Sequence, residues 1–203
     1  MRVVAATTGT FYGRKMIAGD IYTVAGDGSW GSSGDGGPAV KAGMLPDAVA
    51  TDAAGNLIIS DANCRVRLVA VKTGTMYGRR MTAGDVYTIA GSGQLGNSGS
   101  GGPASKAKFD YLGGATVDRY GNVVFSDSVS GVVWVVAVRT GTFYGQAMTA
   151  GDIYIVAGGG TSLGDGGPAA SALLSSPSAV AVSHAGSLLV TDGGDNRLRA
   201  ISP

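Results

Sequence analysis

Three copies of one glycine-rich stretch introduce the residues best placed to do chemistry. GDGGPA at Gly34–Ala39 returns as GSGGPA at Gly99–Ala104 and as GDGGPA at Gly164–Ala169, each copy 65 residues after the last. An apolar run follows each copy and ends in an aspartate: Asp61, Asp127 and Asp192. After the first of these come Asn63 and Arg65. With Asp35 and Asp165 from the glycine-rich copies, these side chains form a recurring set of acids, amide and guanidinium. Carboxylates gathered on one rim would bind a cation or a polar ligand through oxygen. The competing reading is structural, with Asp and Asn capping turns and arginines tying neighbouring units together. We favour the structural reading and keep Asp35, Asp61, Asn63, Arg65, Asp127, Asp165 and Asp192 as the binding candidates.

Other reactive side chains are sparse. The single cysteine, Cys64, allows no intrachain disulfide and no cysteine metal cluster, and reads as a small buried hydrophobe. The single histidine, His184, stands where the other copies have Ala53 and Arg119, in a hairpin turn. A catalytic histidine needs an oriented partner, and no neighbour supplies one. No catalytic residue, metal ligand or cofactor is expected. Fifteen basic against fourteen acidic residues leave a net charge of +1, which provides no field for nucleic acid or an anionic membrane. The start, MRVVAATTGT, lacks the apolar core of a signal peptide, and no run is long enough to cross a membrane.

The elements that must position these residues repeat with the same period. Residues 2–26, RVVAATTGTFYGRKMIAGDIYTVAG, recur as RLVAVKTGTMYGRRMTAGDVYTIAG at 67–91 and WVVAVRTGTFYGQAMTAGDIYIVAG at 134–158. Each copy holds two β-branched runs joined through a TGT turn and a polar link, which predicts two strands, c and d. After the GGPA stretch come two more runs: Ala48–Asp52 and Asn56–Asp61, Ala115–Asp118 and Asn122–Asp127, Ala179–Ser183 and Ser187–Asp192. Short glycine-containing links make these hairpins of strands a and b. Strands b and d are apolar almost throughout, which predicts burial on both faces. Four-stranded antiparallel sheets stacked face to face around an axis meet that demand, so the expected fold is an all-β propeller. The nonapeptide repeat of a calcium-binding β-roll is absent, and no 3.6-residue stripe supports a helical solenoid. The periods run approximately 1–46, 47–111, 112–176 and 177–203.

The text DGGPA…L-P…V-A-x-D-x-x-G-N-L…D-x-N-x-R-x-R resembles the NHL-repeat family of propellers, in its bacterial DGGPA type. The residues that carry it are Asp35–Ala39, Leu45, Pro46, Val49, Ala50, Asp52, Gly55–Leu57, Asp61, Asn63, Arg65 and Arg67. The third copy matches through Asp165–Ala169, Leu174, Pro177, Val180, Ala181, Gly186, Asp192, Asn196, Arg197 and Arg199. The second departs from it at Ser100, Gly113 and Ser130-Gly131. All three copies also carry an insert between c and d: Tyr12–Asp20, Tyr77–Asp85 and Tyr144–Asp152. It reads as an outer flap, with its aromatic pairs (Phe11-Tyr12, Met76-Tyr77, Phe143-Tyr144) packed on the flap's own blade. Arg14-Lys15 and Arg79-Arg80 make two flaps basic. Trp30 is the better tryptophan for an exposed contact, and neither Trp30 nor Trp134 repeats. The resemblance implies a propeller, and an extracellular or cell-surface setting.

The tally is c–d, two full sets, then a–b, or three blades per chain, with Arg197–Pro203 restarting strand c. Arg199 aligns with both Arg67 and Arg2, so the two chain ends claim one position. Closed propellers have about four to eight blades, so three cannot close. Two chains joined head to tail would make a six-bladed ring, each completing the other's strands. The expected function is a non-catalytic interaction or scaffold module whose partner is a second copy, with a protein or carbohydrate ligand as a further possibility. The alternatives are a six-bladed lyase or hydrolase with a central metal, using Asp47, Asp52 and Asp118 but only Ser178 and Ser183 in the third copy, or an engineered or duplicated repeat without a ligand. A longer propeller, of which this is a part, is the other way to close the ring.

Overall fold

Strands form at each apolar run bounded by turn residues. A computed structural model describes residues 1–202, and its secondary structure is β throughout, with 3₁₀ turns at Ala39–Lys41, Ala104–Lys106, Ala169–Ser171 and Gly193–Asp195. The first full sheet has a at Pro46–Thr51, b at Leu57–Asp61, c at Arg65–Val69 and d at Val86–Ala90. The second has a at Leu112–Val117, b at Val123–Asp127, c at Val132–Val136 and d at Asp152–Gly158. Both run in the order d-c-b-a with every pairing antiparallel. Before them, Arg2–Val4 pairs with Ile21–Thr23 in the c and d positions. After them, Pro177–Val182, Leu188–Asp192 and Arg197–Ile201 supply a, b and c. Strand a begins and ends earlier than the alternation predicts, because Asp52 and Asp118 belong to the a–b turns, where each accepts two backbone N–H groups.

Both full-sheet b strands are buried at every residue, as their unbroken apolar character requires. Three cores hold the sheets face to face. One joins the N-terminal pair to Leu57, Ile59, Val69 and Val86. The next joins Ile58, Val66 and Leu68 to Phe109, Phe125 and Trp134. The third joins Val124, Val133 and Val135 to Leu174, Leu188 and Val190. The first strands crowd together on the inner side. A Cβ on Gly113 would lie 2.7 Å from the Ser178 carbonyl oxygen, and one on Gly114 only 2.8 Å from the Ala179 Cα. Leu112, and not Gly113 as the sequence alignment predicts, takes the register of Pro46 and Pro177, opposite Asp127 as they lie opposite Asp61 and Asp192. Glycine at 113, one residue on, is what lets these backbones meet.

Each insert is a hairpin of two three-residue strands, as at Gly9–Phe11 and Arg14–Met16. Tyr12, Tyr77 and Tyr144 sit at φ 51°, 50° and 50°, each followed by a glycine at φ 68–75°. Positive φ at both central residues is the geometry of a type I′ turn, which matches the twist of a tight hairpin.

The GGPA stretch connects one sheet to the next, as expected, but it also adds a strand-like edge to the sheet it enters. Gly36 N–H donates to the Val86 oxygen at 2.7 Å, Val86 N–H to the Gly37 oxygen at 2.9 Å, and Ala39 N–H to the Gly84 oxygen at 2.9 Å. The next copy does the same, with Gly101 N–H on the Ile153 oxygen at 2.7 Å and Ala104 N–H on the Gly151 oxygen at 3.0 Å. Strand d therefore lies between strand c and the GGPA stretch.

Candidate functional site

The predicted rim residues fall into separate clusters, one per sheet, each tied to its own loops. In the first full sheet Asp61 is fully buried at the end of strand b. Its Oδ1 accepts Leu45 N–H at 3.2 Å, Asn63 N–H at 3.1 Å and the Asn63 amide at 2.8 Å. Its Oδ2 faces Arg67 Nη1 at 3.5 Å. Arg67 is itself buried, and it donates to the Gly43 carbonyl at 3.0 Å and the Ser33 carbonyl at 2.8 Å. Asp35 approaches the same guanidinium at 3.7 Å and accepts from Thr88 Oγ1 at 2.9 Å. Asn63 also donates to Gly31 O at 2.7 Å, and Arg65 donates to Asn63 O at 3.2 Å. Arg67 thus fastens the incoming glycine-rich loop to the sheet.

Arg199 repeats this joint in the C-terminal sheet. Its guanidinium meets Asp165 at 2.7 Å and Asp192 at 3.3 Å, and donates to the carbonyls of Leu163 at 2.7 Å and Leu173 at 3.3 Å. In the second full sheet Trp134 takes the same position. Its ring packs edge-on against Phe109 at 5.6 Å, and Phe109 against Phe125 at 5.2 Å. Asp127, without a guanidinium, accepts the N–H groups of Asp110 at 2.9 Å and of Tyr111 and Ser130 at 3.1 Å. Reasoning by repetition passed over Trp134 because it occurs once. Laying VVW at 132–134 over RVR at 65–67 was the signal that could have found it.

Of the acids an enzyme would aim into a channel, Asp52 and Asp118 are engaged in their turns. Asp52 and Asp118 also accept from the Asn56 and Asn122 amides at 2.7 and 2.9 Å, and Asp47 is exposed. Ser178 shares a hydrogen bond with Thr191 at 2.9 Å, and Ser183 Oγ accepts Ser187 N–H at 3.0 Å. No group of three or more His, Cys, Asp or Glu side chains is placed to hold a metal ion among the described residues. His184 is exposed on its turn, and Trp30 is 88% exposed on the first glycine-rich loop. Cys64 is buried, and burial, followed by the nearby Asp110 and Asp127, pushes its thiol pKa up, which suppresses the reactive thiolate.

The flap tyrosines only partly match the expectation that each packs on its own blade. Tyr144 does so, its hydroxyl donating to Asp118 at 3.1 Å. Tyr12 instead crosses to the next sheet and donates to the Gly55 carbonyl at 2.9 Å. Burial, and after it the neighbouring aspartates, raises the pKa of Tyr12, Tyr77 and Tyr144. Arg14 and Arg79, one basic residue of each flap, lie over the rings of Tyr22 and Tyr87 at 5.1 and 4.8 Å in local cation–π contacts.

One position that is filled elsewhere stands open. Beside Arg197–Ile201 the third GGPA stretch is in place, yet no strand d lies between them among the described residues, and a groove of about 210 Å³ runs there. The outward faces at the two ends are correspondingly bare. Leu198 is 67% exposed, whereas its counterparts Val66 and Val133 are fully buried. Val49 is 52% exposed, whereas Val180, its counterpart with a neighbouring sheet on that side, is 8% exposed.

No family model matches the sequence, and comparison with curated proteins finds no match. Solved structures do share the fold. An auxiliary nutrient-binding protein from Bacteroides ovatus is similar at TM-score 0.55 and 16% identity, over 76% of this chain and 36% of that one. A protein of unknown function from Bacteroides thetaiotaomicron is similar at TM-score 0.50 and 17% identity, over 76% of this chain and 46% of that one. The chain therefore has a β-propeller-like repeat fold, and it spans between a third and a half of the length of these structures. No helix is long and apolar enough to cross a membrane among the described residues.

Proposed function

We propose that this chain is an NHL-like propeller segment that works as a non-catalytic interaction and scaffold module, completing its ring by self-association into a six-bladed, two-fold dimer. The observation that carries this reading is the pair of bare faces. Leu198 on one end and Val49 on the other are exposed, whereas Val66, Val133 and Val180 hold the same positions beside a neighbouring sheet and are buried. Burying one such side chain stabilises by about 1.5–3 kcal/mol, and leaving such faces open invites association. A head-to-tail contact brings one face against the other, as at the three junctions the chain already makes. The joints around Arg67, Trp134 and Arg199 support a structural role for the rim residues, since their polar groups are turned to loop backbone. An extracellular or cell-surface setting goes with the NHL resemblance.

The test is the molar mass of the purified chain in solution. Twice the 20.1 kDa of one chain is expected. A 20.1 kDa species at every concentration overturns the proposal, and the bare faces then belong to further repeats of a longer protein.

A further inference from the structure

We infer that the open position beside Arg197–Ile201 is a preformed acceptor for one β-strand, and that its occupant is Ile21–Thr23 of a second copy, which leaves its own Arg2–Val4 to enter as the missing strand d. This rests on the self-association proposed above and adds to it a segment, a register and the strand that is displaced.

Both walls of the slot are built without the occupant. The third GGPA stretch holds the turn of the other two, with Gly167 N–H on the Gly164 oxygen at 3.0 Å against 3.1 Å for Gly37 on Gly34 and Gly102 on Gly99. It runs into the same 3₁₀ turn, Ala169–Ser171. The other wall, Arg197–Ile201, is held by five pairs to Leu188–Asp192 and by the Arg199 joint. A site already in its bound shape loses little conformational freedom on binding.

The occupant is identified by its sequence and by its free edge. Ile21–Val24 reads I-Y-T-V, against V-Y-T-I at Val86–Ile89, the segment that fills the equivalent slot. In that filled slot Val86 turns its N–H and C=O to the GGPA stretch, while Asp85 C=O accepts Ala70 N–H from the strand c side at 3.1 Å. Asp20 C=O likewise accepts Ala5 N–H at 3.0 Å, so Ile21 turns its polar groups away from Arg2–Val4. That edge pairs with no other strand among the described residues. Gly166 and Gly167 are placed to meet it as Gly36 and Gly37 meet Val86. Thr23 corresponds to Thr88, whose hydroxyl donates to Asp35, and Asp165 waits at the Asp35 position.

The register follows from Val86 opposite Val69, Tyr87 opposite Leu68 and Thr88 opposite Arg67. It sets Ile21 against Ile201, Tyr22 against Ala200 and Thr23 against Arg199. Only one strand c fits beside Ile21–Thr23. Arg2–Val4 makes three pairs, has no second strand neighbour among the described residues, and exposes Arg2 and Val4. Arg197–Ile201 is anchored on its far side, so the shorter strand is the one released.

Cysteine cross-linking between full-length chains tests this. Ile21→Cys is placed in one chain and Ile201→Cys in another, both with Cys64→Ala, and the two are mixed under mild oxidation. Val86 and Val69 form a pair without direct hydrogen bonds, where side chains approach most closely, and the inferred pair inherits that geometry. The expected result is a disulfide-linked heterodimer from the mixture and none from either variant alone. Removing Met1–Val4 is expected to raise the cross-linked fraction, since it removes the competitor. A wild-type chain that doubles its mass while the mixture fails to cross-link, or cross-links less after that removal, overturns the slot and leaves self-association standing. A wild-type chain that stays at a single mass overturns both.

Discussion

The first full sheet and the C-terminal sheet are the same repeat, finished in one case and unfinished in the other. Arg67 and Arg199 make matching joints to an Asp at the end of strand b, an Asp in the glycine-rich loop and two loop carbonyls. Strand d is present beside the first and absent beside the second. The joint therefore does not depend on strand d. What strand d changes is burial: Arg67 is sealed, whereas Arg199 keeps part of its side chain in solvent. The second full sheet adds that the joint need not be ionic at all, since Trp134, Phe109 and Phe125 fill it with aromatic rings. A position that accepts either a guanidinium or an indole serves to fasten a loop.

The largest effects are expected where the joint is sealed. Arg67→Ala leaves Asp61 charged, buried and without its cation, and is expected to destabilise by about 3–5 kcal/mol in denaturant unfolding. Trp134→Ala is expected to cost a similar amount, about 3–5 kcal/mol, through a cavity. The two differ in kind. Restoring Arg67→Ala with Asp61→Asn should recover part of the loss, whereas no charge change near Trp134 should help. Equal insensitivity of both to such a change would erase the distinction between an ionic and an aromatic joint.

A smaller effect belongs to the unfinished sheet. Arg199→Ala also leaves a buried aspartate, Asp192, without its cation. The guanidinium is partly solvated, however, and its other carboxylate, Asp165, is exposed, so the cost in the separated chain should be smaller, about 1.5–3 kcal/mol. It should nonetheless weaken self-association, since Arg199 orders one wall of the open slot. A variant that unfolds as readily as Arg67→Ala would show that the open joint is already sealed.

The smallest expected effect is in the flaps. The Tyr77 and Tyr144 pKa values are raised by burial and by Asp118 and Asp52, so folding favours their neutral form. Their contribution is fully present below the unfolded tyrosine pKa of about 10. It is lost as pH rises from there through the higher folded values. Unfolding midpoints are expected to fall above about pH 10, and to fall less steeply in Tyr144→Phe. An unchanged slope would remove Tyr144 from the account.

Much of this was legible in the residues because the period repeats and the strands are rich in Val and Ile. The a-to-d order, the extra strand at Arg197–Ile201 and the flap hairpins all follow from local text. The pairing of GGPA with the next sheet did not, since glycine and proline carry no strand signal and the partners, Gly36 and Val86, lie far apart in the chain. Tyr12 reaching Gly55 escaped for the same reason. At the candidate rim, D-x-N-x-R-x-R marked Asp61, Asn63 and Arg67 as one unit. Asp110, Tyr111 and Ser130 gave no such mark, because they replace side-chain partners with backbone N–H donors to Asp127.

The difference between the finished and unfinished sheets is read most directly at the Ile21 amide. Hydrogen exchange followed by NMR over a dilution series should find this N–H protected in concentrated solution, held by the Gly167 carbonyl of a second copy, and unprotected once the chains separate. Rapid exchange at every concentration would contradict the account.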